Sequence, residues 1–217
     1  MDLPDNGDCI FCKIVNDDAP ANWVSRPSEG LKVSCFHNRL KWERVMLLIV
    51  PDEHMTQSEF WSSPVLNNAA KLAVKVGDAY CAEDGYRVIS NFGRVAHQSQ
   101  VHAHLHVVSG ASTQVQNASA PNVLSENGAT VVTQYEIPDS PTSIGVSVED
   151  VATQRDLYEG GQILEAADAA MTWGAQNSSQ GFRLLSSFNP ASDQEPKPGM
   201  NENGLFLLGG GHLGLYV

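Results

Sequence analysis

The chain has 217 residues, 42% of them hydrophobic, which is enough apolar material for one large core or two small ones. Its formal net charge of −12 and pI near 4.8 argue against a non-specific nucleic-acid binder, which needs Lys and Arg to displace phosphate counterions. No apolar run reaches the ~18 residues of a membrane span, and Met1-Asp2-Leu3-Pro4-Asp5 lacks the basic and apolar regions of a signal peptide. A cytoplasmic protein with neither nucleic-acid nor membrane partners is therefore expected, while a small anionic ligand stays compatible because a local site can oppose the global field.

Along the chain, residues 9–15 read as a short helix or turn and contain the pair Cys9-x-x-Cys12. Residues 31–36 and the apolar run 46–50, closed by Pro51, read as strands. Residues 58–82 read as one helix, with Leu66, Ala69, Ala70, Ala73, Val74 and Val76 forming its apolar stripe. Two more strands are expected at 87–90 and 101–108. Strand, strand, helix, strand, strand predicts an antiparallel α+β unit rather than a parallel doubly wound one. Of the four cysteines, Cys35 and Cys81 sit in apolar surroundings that suit inert packing. No thioredoxin-like βαβ pattern accompanies Cys9 and Cys12, so metal binding competes with two merely reduced thiols.

Past Gly110 the composition shifts to Ala, Ser, Asn, Gln and Thr, as in a linker or surface excursion. The remainder of the chain repeats the first half in weakened form. Gly85-Tyr86-Arg87-Val88-Ile89-Ser90-Asn91-Phe92 shares four identities with Gly181-Phe182-Arg183-Leu184-Leu185-Ser186-Ser187-Phe188. Spacing agrees, with 31 residues from His54 to Gly85 and 30 from Val151 to Gly181. Residues 1–112 are thus expected as one domain, 113–128 as a linker and 129–217 as a degenerate repeat. A second copy can cover a sheet edge that one copy leaves unpaired.

Residues 102–108 read His102-Ala103-His104-Leu105-His106-Val107-Val108. On a strand this alternation lines three imidazoles along one face and turns Ala103, Leu105 and Val107 into a core. Three such histidines could be a metal site, a catalytic face or a polar outer surface. Continuing the repeat puts Glu202, Gly204 and Phe206 at the corresponding positions, so the second half has no triad.

The segment resembles the His-φ-His-φ-His-φ-φ signature of the histidine triad (HIT) family of nucleotide hydrolases and transferases. The resemblance extends to Cys9-Ile10-Phe11-Cys12-Lys13-Ile14-Val15, Phe36-His37-Asn38, Leu48-Ile49-Val50-Pro51-Asp52-Glu53-His54, and Asn91 followed by Gln98-Ser99, covering about residues 8–110. It implies a HIT-like α+β fold in two repeats. Each would be an antiparallel sheet of about five strands plus a helix, packed as an intrachain pseudo-dimer that imitates the homodimer of shorter members. A single chain could then act as a monomer, and higher oligomers stay open.

The resemblance further implies a nucleotide substrate, a phosphoramidate or dinucleoside polyphosphate, attacked at its α-phosphate by His104. His106 would stabilise the phosphoryl oxygens, Ser99 and Gln98 would donate to the phosphates and leaving group, Asn91 would hold the phosphate side, and Asn38 would bond the ribose. A neutral imidazole suits such attack because it needs no deprotonation at pH 7. Members with the Cys-x-x-Cys opening hold structural zinc, which carries over to Cys9, Cys12, His54 and His102; a Cys2His2 set leaves tetrahedral zinc no open position.

The chain departs from the family pattern at Asn38, where an aspartate is usual, at Met46 for a histidine, and at His97 for a glycine. These departures leave two alternatives: a nucleotide-binding regulatory module with decayed catalysis, or an enzyme turned to a non-nucleotide substrate. Galactose-1-phosphate uridylyltransferases also carry two HIT-like repeats, but their triad ends in glutamine, and His106 argues against that branch. His37 is expected as surface, and His212 as surface or as a residue reaching across the repeats.

Overall fold

A computed structural model describes residues 3, 7–28, 30–111, 119–190, 204–211, 213 and 214. The first half supplies β1 (Trp23–Ser25), β2 (Val33–His37), β3 (Met46–Pro51), β4 (Tyr86–Phe92) and β5 (Leu105–Ser109). The second supplies β6 (Ser119–Asn127), β7 (Thr130–Glu136), β8 (Ile144–Val148), β9 (Phe182–Phe188) and β10 (Gly204–Gly209). Helices are α1 (Ile10–Val15), α2 (Gln57–Trp61), α3 (Val65–Cys81), α4 (Gln154–Glu159) and α5 (Ile163–Asn177).

Among the described residues, ten strands form one sheet in the order β1-β2-β3-β5-β4-β9-β10-β8-β7-β6, and every neighbouring pair is antiparallel. Each half contributes five strands, and the second half's order mirrors the first's. This is the pseudo-dimer, with β4 against β9 as its seam. Pairing these strands removes two edges that would otherwise invite another chain.

Side chains repeat across the seam as the strands do. Tyr86 stacks on Phe188 with centroids 4.4 Å apart, and Phe92 stacks on Phe182 at 4.5 Å. Tyr86 and Phe182 hold the same position in the two octets, as do Phe92 and Phe188. Both long helices lie on one face of the sheet and share one core with strand residues such as Leu47, Leu105, Leu184 and Leu207. The predicted α3 stripe is buried throughout.

Three expectations are revised. The helix expected over 58–82 is two, because Pro64 brings no N–H to the ladder and α2 ends at Trp61, with Ser62 as its C-cap. α2 opens with a capping box between Thr56 and Glu59. The strand expected over 101–108 begins at Leu105: its neighbour β3 ends at Pro51, and the Ala103 amide donates instead to Met55 O at 2.7 Å. β6 lies within the stretch whose composition suggested a linker. Glu202 and His212 lie outside the described residues.

Candidate active site and metal centre

The triad runs along the sheet face opposite the long helices, and all three imidazoles are buried. His104 Nδ1–H donates to His102 O at 2.9 Å, which fixes the tautomer and leaves the Nε2 lone pair available. His106 stands beside it, ring centroids 4.8 Å apart. Burial lowers the pKa of His104. It drives that of His106 further down, helped by neighbouring His104 and Arg183. Both rings are therefore neutral near pH 7.

Behind the triad the backbone of His104 is tied into the core. Gln57 Nε2 donates to His104 O at 3.0 Å, Ser90 Oγ to Gln57 Oε1 at 3.2 Å and Trp61 Nε1 to Ser90 Oγ at 2.9 Å. Sequence reasoning missed this network. The signal for it was the pair Thr56-Gln57, which recurs as Thr153-Gln154. In the second half Ser186 Oγ correspondingly donates to Gly204 O at 3.4 Å.

His104 and His106 open onto a cavity of about 680 Å³. Its apolar wall comes from Phe11, Ile14, Phe36 and Leu48, and its rim includes Asn38, Ser99 and Gln100. Asn38 Oδ1 accepts from the Leu40 amide at 3.0 Å, so the oxygen is engaged in a local turn. Gln98 is similarly occupied, accepting from Gly93 N at 2.8 Å and donating to Gln100 O at 3.0 Å. It shapes the loop that presents Ser99. Asn91 is buried on β4, its Oδ1 accepting from Arg183 Nε at 2.9 Å. His37 packs edge-on against Tyr80.

Cys9, Cys12, His54 and His102 converge, their ligand atoms all within 4.8 Å of one another. Cys9 caps α1, its sulfur accepting from the Cys12 amide, which brings both sulfurs to one side of the helix start. His102 Nδ1 lies 3.3 Å from Cys9 Sγ and 3.4 Å from Cys12 Sγ, and His54 Nδ1 lies 3.2 Å from Cys12 Sγ. Tetrahedral zinc, with bonds of ~2.0–2.3 Å, sets neighbouring ligand atoms roughly 3.3–3.8 Å apart, so the set fits such an ion. His102 Nε2–H donates to Pro51 O at 2.9 Å, the outer hydrogen bond that orients a ligating imidazole. Burial, chiefly, pushes His102 down to about 4, keeping it in the neutral form a metal requires. Phe11 stands edge-on to both His102 and His104, at 5.9 and 5.4 Å, so α1 joins the metal centre to the cavity wall.

The second repeat's corresponding face is filled. Phe206 takes the register position of His106, opposite Leu185 as His106 is opposite Ile89. It packs with Tyr135, Ile137, Leu208 and Leu213 in an apolar cluster.

A profile of the HIT domain matches residues 31–113. An uncharacterized HIT-like protein of Methanocaldococcus jannaschii is 32% identical over 102 residues, 46% of this chain and 77% of that protein. The chain belongs to the HIT domain family. Among other HIT relatives, the adenosine 5′-monophosphoramidase of Schizosaccharomyces pombe is 32% identical over 100 residues, covering 46% of this chain and 72% of its own length. These matches span under half of this HIT protein. Solved structures extend the likeness over nearly all of it, at the level of fold alone. A galt-like protein from Arabidopsis thaliana superimposes with TM-score 0.65 at 12% identity, covering 93% of this chain and 81% of that one. An ADP-glucose phosphorylase from the same plant gives 0.63 at 11%, covering 99% and 84%. Among the described residues, no helix is long and apolar enough to cross a membrane.

Proposed function

We propose that this HIT-family enzyme is a nucleotide hydrolase or nucleotidyl transferase acting through a covalent nucleotidyl-histidine, with one working site in residues 1–112. The observation that carries this reading is His104: a neutral imidazole whose Nδ1–H is committed to a backbone carbonyl, beside neutral His106 on a cavity of about 680 Å³.

In this reading the apolar wall takes the base, Asn38 reaches the ribose with its amide nitrogen, and the α-phosphate sits at the triad. His104 Nε2 attacks phosphorus and the leaving group departs with its bonding electron pair, steadied by Ser99 and protonated from water. Water then attacks the phosphorus and releases His104. His106 donates a hydrogen bond to the phosphoryl oxygens as charge builds on them. Gln98 supports the step by holding the loop. Cys9, Cys12, His54 and His102 would hold zinc, which would supply a structural crosslink between the N-terminal segment and the triad and take no part in the reaction. A nucleoside phosphoramidate is the first substrate class to test, since an aligned relative is named an adenosine 5′-monophosphoramidase.

The test is a mass spectrum after brief exposure to adenosine 5′-monophosphoramidate. A nucleotidyl adduct on His104, with turnover lost by roughly a thousandfold or more in His104→Ala, is expected. Undiminished turnover in that variant overturns the assignment. Nucleotide binding without an adduct would favour a regulatory module.

A further inference from the structure

Among the described residues, a side chain of the second repeat reaches the first repeat's site. Arg183 on β9 is the direct register partner of Asn91 on β4. It is fully buried and the largest side chain so enclosed. Its Nε donates to Asn91 Oδ1 at 2.9 Å and its Nη2 to Gly214 O at 2.6 Å. Asn91 lies two residues along the strand from Ile89, which pairs with His106, so Asn91 shares the triad face. Its carboxamide oxygen is taken by Arg183, which leaves the Nδ2 donors for whatever occupies that face.

The same octet motif supplies an arginine to the first repeat, and its surroundings differ. Arg87 stands opposite Ser187, donates to Ser109 O at 3.3 Å and lies 3.5 Å from Glu43. One motif has thus placed two arginines symmetrically about the seam. Arg87 shares the triad face but pairs with Val108, beyond His106, whereas Arg183 is set against Asn91, on the other side of Ile89.

We propose that Arg183 is a positioning residue for the first repeat's reaction: it holds the Asn91 carboxamide with its Nδ2 donors toward the substrate phosphoryl group and sets a fixed positive charge behind it. This rests on the nucleotide reading above. The degenerate repeat then does more than complete the sheet; it supplies the electrostatic back wall of its neighbour's site. The segment carrying Gly214 is held by the same device, since His97 Nε2–H donates to Leu213 O at 2.6 Å from the loop that presents Ser99.

The experiment is a double-mutant cycle on the full chain with adenosine 5′-monophosphoramidate, comparing Arg183→Gln, Asn91→Ala and the double variant, with Arg87→Gln as the symmetry-related control. Each single variant is expected to lower kcat about 10- to 100-fold with KM changed less than threefold. The double variant should lose no more than about twice the worse single one, because the two residues act as one unit. Arg87→Gln should stay within threefold of the parent. Multiplying losses, or an undiminished kcat in folded Arg183→Gln, overturn the proposal. If Arg183→Gln does not fold, Arg183→Lys is run through the same cycle, with an undiminished kcat or multiplying losses counting against the proposal. A parent enzyme that neither turns over the probe nor forms an adduct overturns the nucleotide reading itself, an outcome distinct from an active Arg183→Gln.

Discussion

Ile89 and Leu185 are register partners across the seam and also occupy the same position of the two repeated octets. A residue paired with its own counterpart marks a local twofold axis. The axis explains why aromatic stacks, helix pairs and glycine contacts come in twos, and it makes the cost of disturbing them predictable.

Gly77 on α3 and Gly174 on α5 are such a pair. A Cβ at Gly77 would lie 2.4 Å from the Tyr86 ring, and one at Gly174 would lie 2.4 Å from the Phe182 ring. Gly77→Ala and Gly174→Ala should each destabilise by about 1–3 kcal/mol through overpacking, read as urea midpoints. Equal costs support the axis, and a stabilised variant at either position contradicts the close approach.

Chelation should expose two thiols and no more. Burial pushes Cys35 up to about 12 and Cys81 up to about 11, so neither forms thiolate near pH 8. Cys9 and Cys12 are partly exposed. Alkylation at pH 8 followed by mass spectrometry should show little labelling of the zinc-loaded protein, two labels after chelator and four after denaturation. Identical labelling with and without chelator would remove the metal from the proposal.

The acid limb of kcat should lie below the ordinary imidazole value. His104 must be neutral to attack phosphorus, and its pKa in the folded protein is lowered from 6.5 by burial. The rate therefore holds as pH falls through 6.5 and drops only at lower pH. Stability moves sooner: below about 6.5 the unfolded chain binds protons that native His104 and His106 refuse, so unfolding becomes easier as pH falls. A rate profile breaking above 6.5 would be incompatible with a buried nucleophile.

Restoring a histidine to the second repeat should not restore chemistry. Phe206→His would bury an imidazole among Tyr135, Ile137 and Leu208, at a cost of about 1–3 kcal/mol for an unmatched polar group. Adduct stoichiometry should stay at one nucleotide per chain. Two adducts would mean that the second face opens to ligand.

The sequence by itself determined what local pattern and pairwise chemistry can encode. Alternating histidines specified a face, the apolar stripe specified the inner side of α3, Cys-x-x-Cys within one short element specified neighbouring sulfurs, and the repeated octet specified a duplicated unit. It could not show that His102 and His104 precede the strand ladder, because that depends on Pro51 in a neighbouring strand offering no N–H. Nor could it show that Gln98 turns inward to hold its own loop, or that Gln57 anchors the His104 carbonyl from 47 residues away. The role of Arg183 lay furthest out of reach. In the sequence it is half of a repeat match, identical with Arg87. Only the antiparallel seam sets it against Asn91, because register between distant strands is fixed by packing of the whole sheet and not by the residues on either side of it.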